Sequence, residues 1–103
     1  MRIGAHLSIS KGLDKAAELA RSIDADVFQY FTRNPRGGKA RQIKEQEITK
    51  WEQVRSKNNI YPIIGHLPYT INLASADSRQ KDFADMVVRD DFFRVREIGG
   101  EII

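Results

Sequence analysis

Cysteine is absent, so no disulfide framework holds this chain and no thiolate is available to a metal; a metal site would need histidine and carboxylate ligands. No apolar run approaches the roughly 20 residues of a bilayer-spanning helix, and the amino terminus lacks the apolar core and cleavage pattern of a secretory signal. A cytoplasmic chain is the expectation. Glycine-rich phosphate turns are also missing. Ala5-His6-Leu7-Ser8 is not G-x-G-x-x-G, and no G-x-x-x-x-G-K-[ST] occurs, which argues against a nucleotide-binding open sheet. Acid is missing from one stretch in particular: residues 33–44 hold Arg33, Arg36, Lys39, Arg41 and Lys44 and no Asp or Glu. The other 12 basic residues face 14 acidic ones, so the net charge of +3 belongs to that loop. A local cationic segment with glycines and a proline suits contact with a polyanion, since Lys and Arg neutralise phosphates and release counterions; the plain alternative is a solvated loop.

The 103 residues leave room for one small domain, and 41% apolar with 30% charged residues is a globular balance, not a disordered one. Taken along the chain, Arg2 to His6 reads as a short strand. A helix follows to about Ile23, with Ser10 as its expected cap and Leu13, Ala16, Ala17, Ala20 and Ile23 as a narrow apolar stripe. Gly12 weakens the helix start and allows a boundary two or three residues later. Asp26 to Thr32 has the β-branched and aromatic content of a strand, completing a β-α-β unit. The basic loop then leads to a helix over about Gln46 to Asn58, with Ile48, Trp51 and Val54 on one face.

Tyr61 to Gly65 reads as a third strand, of the type buried on both faces of a parallel sheet, with His66 emerging at its end. In helix-covered parallel sheets, chemistry collects at the carboxyl ends of strands. His66 is there either as a site residue or as a satisfied structural histidine. A long helix begins near Ser78, with Phe83, Met86, Val87 and Phe93 apolar and an irregularity at Asp90 and Asp91; Gly99 and Gly100 stop it. Glu101 to Ile103 opens a fourth strand. Three strand-helix units and a fraction fit part of an α/β barrel, whose eight repeats take about 250 residues.

Three blocks carry a family resemblance: Ile3-Gly4-Ala5-His6-Leu7-Ser8, Phe31-Thr32-Arg33-Asn34-Pro35-Arg36, and above all His66-Leu67-Pro68-Tyr69-Thr70-Ile71-Asn72-Leu73-Ala74-Ser75. In order and spacing they resemble the amino-terminal part of the endonuclease IV family, metal-dependent apurinic/apyrimidinic endonucleases. The resemblance implies a partial TIM barrel of the xylose isomerase-like kind, with residues 1–103 forming a single incomplete domain. It also implies hydrolysis of the DNA phosphodiester 5′ to abasic sites during base excision repair.

Carried over by position, His66 matches the first metal-binding histidine of the family's trinuclear zinc cluster. Tyr69 matches a residue that enters DNA at the damaged site, and Arg36 matches the arginine that inserts into the stack from the minor-groove side. His6 is expected to orient a ligand from outside the coordination sphere or to pack; Asn72 is expected to fix its loop. Gly37 and Gly38 stand where many relatives have bulkier residues, one of them aromatic, so that loop's DNA contacts are expected to be thinner. The family's remaining metal ligands match nothing up to Ile103. Only one matching zinc ligand is then present, and the chain alone is expected to be inactive. Two other functions stay open, a fragment of a sugar isomerase or epimerase barrel and a non-catalytic DNA-binding piece that self-associates through an open barrel edge.

Overall fold

Parallel pairing of three short strands, each followed by a helix, builds the molecule. The computed structural model describes residues 1–103. In order, the elements are β1 (Gly4–His6), α1 (Leu13–Ser22), β2 (Val27–Phe31), α2 (Glu45–Asn58), β3 (Ile63–His66) and α3 (Ser78–Glu97). The sheet order is β1-β2-β3, with Ala5 opposite Phe28 and Phe28 opposite Ile63. Ile102 adds a parallel bridge to Ile64, reinforced by a hydrogen bond from the Gly65 N–H to the Ile102 carbonyl at 2.8 Å, so the expected fourth strand begins where the sequence placed it. No helix is long and apolar enough to cross a membrane.

All three helices contribute to one core on one face of this sheet. Phe28, Tyr30 and Ile63 point into it and meet Leu13, Ala16, Ala17 and Ala20 of α1, Trp51 of α2, and Val95 and Ile98 around the end of α3. The alanines belong to the core as the stripe predicted, and the element α1 packs on most closely is α2. Along β2 the alternate residues Val27, Gln29 and Phe31 are only half-buried, and in β3 so are Ile64 and His66. Burial on both faces, expected for the third strand, is therefore not what the chain shows; its helices cover one side only. At Gly65 the sheet and α3 approach closely. A Cβ there would stand 2.5 Å from Val95 Cγ2 and 2.9 Å from Thr32 Cγ2, so this position accepts no side chain without displacing the helix.

Two helix ends depart from the sequence reading or sharpen it. Ser10 does not cap α1: the helix starts after Gly12, and the Ser10 hydroxyl instead accepts from Ser8. The cap comes from another element, because Glu47 of α2 accepts the Leu13 N–H at 2.6 Å while also pairing with Arg41. At the other end, α3 finishes as expected on glycine. Gly99 takes φ 72°, its N–H donates to Arg96 and the Gly100 N–H donates to Val95, the paired bonds that close a helix terminus.

Burial alone would raise the Glu47 carboxyl, but hydrogen bonds from Arg41 and the Leu13 N–H outweigh it and hold the group below its ordinary value of 4.5. A carboxylate with a lowered folded pKa contributes stability that is complete above the unfolded value and lost as pH falls through the folded one. Glu47→Gln should therefore cost about 1–2 kcal/mol near neutral pH, and the gap from wild type should close on acidification below the ordinary carboxylate range. Denaturant titrations at several pH values check this; a gap independent of pH would assign the loss to shape and not to charge.

Candidate metal and nucleic-acid site

The alternation of β2 and β3 puts Phe31 and His66 on the face opposite the helices, and these two residues are register partners. His6 joins them from the end of β1, where it is the partner of Gln29. At the carboxyl ends of the three strands the rings form one cluster. His6 and Phe31 have centroids 4.5 Å apart, Phe31 and His66 4.8 Å, and His6 and His66 6.0 Å. Tyr69 closes it from the following loop, 5.2 Å from Phe31 and 5.9 Å from His66, with its side chain largely exposed.

Each imidazole is oriented through Nδ1. That of His66 lies 2.6 Å from the Leu67 carbonyl, which can only accept, so Nδ1 carries the proton and Nε2 keeps its lone pair. That of His6 lies 3.4 Å from Gln29 Oε1, a longer contact of the same kind. Borderline nitrogen donors of this type suit zinc. No group of three or more histidines and carboxylates converges anywhere in the chain, so His66 and His6 supply at most part of the three-ligand set that a catalytic zinc takes.

Arg36 is exposed on the loop after β2, and that loop is tied to the one carrying Tyr69 by a hydrogen bond from the Tyr69 N–H to the Pro35 carbonyl at 3.0 Å. The structure thus brings Tyr69 and His66 together directly and joins Arg36 to them through backbone. Asn72 acts as expected: its Oδ1 accepts the Ala74 N–H and holds its own loop. A groove of about 520 Å³ runs between the loops after β1 and β2, bounded by His6, Ser8, Phe31, Asn34 and Lys39.

The cationic loop needs correction. Of its five basic residues, Arg33 is buried and bound to Asp90 and Asp91, and Arg41 pairs with Glu47. Only Arg36, Lys39 and Lys44 keep their charge free for a polyanion. The partners lie on α2 and α3, more distant in sequence than an acid count within the loop detects. Asp91 is the residue that sequence reasoning missed. Its residue type places it on a polar face, yet it is completely buried, while Phe83, Met86 and Phe93 lie on the exposed side.

No family model matches the chain. Individual relatives do: "Probable endonuclease 4" of Moorella thermoacetica is 57% identical over all 103 residues, which span 37% of that protein. "Probable endonuclease 4" of Clostridium beijerinckii is 45% identical over 98 residues, 95% of this chain and 35% of its own length. Among solved structures, endonuclease IV from Thermus thermophilus superposes with a TM-score of 0.91 at 27% identity, covering 99% of this chain and 39% of the other. The chain spans little more than a third of the proteins it matches.

Proposed function

We propose, from a chain that matches the amino-terminal part of the endonuclease IV family in both sequence and fold, that residues 1–103 supply the first strand-helix units of one barrel domain. The completed protein, in this reading, hydrolyses the DNA phosphodiester 5′ to abasic sites. The observation that supports it best is the placing of His66 and Tyr69 side by side on the open face at the strand ends, with the Arg36 loop bonded to the Tyr69 backbone.

His66 would hold zinc through Nε2, with His6 packed against the same ring cluster and steadying it. Bound zinc supplies Lewis acidity, polarising a phosphoryl oxygen and letting water ionise near neutral pH. The chain's own part is positioning. Tyr69 and Arg36 present exposed side chains of a kind that wedge into a base step, which costs a few kcal/mol of unstacking and least where a base is already missing. The wedge then also reads the damage. Arg36, Lys39 and Lys44 favour a polyanion over a neutral sugar, which weighs against an isomerase or epimerase. The outer edge of β1 pairs with no strand here, and contact with a second copy through that edge is the form self-association would take.

The test is incision of a duplex carrying one synthetic abasic site, by the 103-residue chain and by a chimera that continues it with the remainder of a full-length relative. Zinc is added in one arm and a chelator in the other. The chimera is expected to cut 5′ to the lesion in a chelator-sensitive way and the short chain to be inert. A chimera without incision, beside an active relative, refutes the reading; incision by the short chain would mean that self-assembly completes the ligand set.

A further inference from the structure

Asp91 sits among the buried residues of α3, between Val87 and Val95, fully shielded from solvent. It accepts from Arg33 Nε at 2.9 Å, from Arg33 Nη2 at 2.5 Å and from the Thr32 hydroxyl at 2.5 Å. A buried ion pair contributes little net stability, because desolvation offsets its attraction and hydrophobic replacements of similar volume are often as stable. What such a pair does supply is direction. The guanidinium of Arg33 also donates from Nη1 to the Gly38 carbonyl at 3.0 Å, and Arg94, whose Nε lies 3.8 Å from Asp91, donates from Nη2 to the Arg41 carbonyl at 2.7 Å and to the Thr32 carbonyl at 3.3 Å.

The loop that carries Arg36 is therefore held from α3 at its start, its middle and its end. Within it, the Asn34 N–H donates to Lys39 and the Gly38 N–H donates to Asn34, closing a small ring of backbone. Asn34 Oδ1 accepts the Arg36 N–H at 3.0 Å, so the backbone of Arg36 is fixed inside a ring that Arg33 anchors. Gly38 lies against α3 itself: a Cβ there would be 3.1 Å from the Phe83 ring, at a φ of 72°. Hydrogen bonding to Asp91 holds the Arg33 guanidinium above its usual range.

We propose that Arg33, Asp91 and Arg94 are positioning residues, a clamp through which α3 sets the place of the Arg36 loop relative to Tyr69 and His66. Recognition of a damaged base step then depends on an ion pair that touches no DNA. This rests on the reading of Arg36 and Tyr69 given above. An exposed arginine gains most as a wedge when the loop beneath it is already ordered, since no ordering cost remains to be met on binding.

The experiment uses the chimera with Asp91→Asn, which keeps the shape and one acceptor but removes the charge, beside Arg36→Ala and wild type. Two quantities are read: Kd for abasic and for intact duplex, and hydrogen exchange at the Asn34, Gly38 and Ile64 amides. Asp91→Asn is expected to weaken abasic binding about tenfold with intact-duplex binding near wild type, while Asn34 and Gly38 lose protection and Ile64 keeps it. Should Asp91→Asn not fold, Arg94→Met releases the Arg41 and Thr32 carbonyls with the Arg33 pair intact and is read by the two Kd values alone: the abasic preference is expected to fall, and a wild-type preference overturns the clamp. Loss of loop protection without loss of the abasic preference overturns the clamp, as does an equal loss on both duplexes. If Arg36→Ala keeps the preference, or wild type has none, the failure lies with the functional reading on which the clamp rests.

Discussion

Replacing His66 by alanine in the barrel-length chimera is expected to lower incision at an abasic site by more than about 100-fold, because removing partners outside the coordination sphere already costs 10–100-fold in metal sites. The Leu67 carbonyl fixes Nδ1 as the donor, so the ring has one nitrogen left to offer, and it lies on the face free of helices. Alanine removes that nitrogen while leaving the helix-side core untouched, since His66 is not part of it. Thermal stability of the metal-free protein should stay close to wild type, and bound zinc, measured by elemental analysis after dialysis, should fall. An incision rate within about tenfold of wild type, with zinc content unchanged, would make His66 a packing residue of the ring cluster.

Trp51→Ala is expected to have the largest effect on folding. Trp51 is completely buried, stacks edge-on to Phe28 at 5.4 Å and donates from Nε1 to the Ile98 carbonyl at 2.8 Å. Truncating a buried aromatic costs about 3–5 kcal/mol, and the orphaned carbonyl at the end of α3 adds to it. For a domain of this size, that reaches the range of total stability. Trp51→Phe separates the two parts, keeping most of the packing and losing the bond, with about 1–2 kcal/mol expected. Denaturant midpoints measure both; a loss below about 1 kcal/mol for alanine would mean that the core closes over the gap.

The β-α-β order, the fourth-strand start and the packing role of Trp51 were legible because each rests on local pattern: apolar runs, three- and four-residue spacing, and glycine at a helix end. His66 at a strand end followed from the same logic. What escaped was decided by partners distant in sequence. Ser10 looked like a cap because its type and position fit, yet Glu47, 34 residues from Leu13, took the N–H. The five cations of the loop looked free because the loop itself holds no acid, although Glu47 lies just beyond it, six residues from Arg41, and Asp91 stands 58 residues from Arg33. A signal was present. Val87, Asp91 and Val95 fall at four-residue spacing, which puts the aspartate in the middle of a buried stripe, and a buried carboxylate demands a cation. The interruption in the apolar pattern marked the one charged residue among those the helix buries.

Because every strand here pairs in parallel with the next one, no hairpin exists to seed the sheet. The shorter strand closure, His6 to Gln29, spans 23 residues and encloses the whole of α1; the other, Phe31 to His66, spans 35 and encloses α2. Each ladder joins ends separated by a whole helix, so chain-closure entropy is met before strand pairing offsets it, and a formed helix shortens the path between those ends. A sheet of this kind, built wholly from non-local pairings, is slow to close compared with its helices.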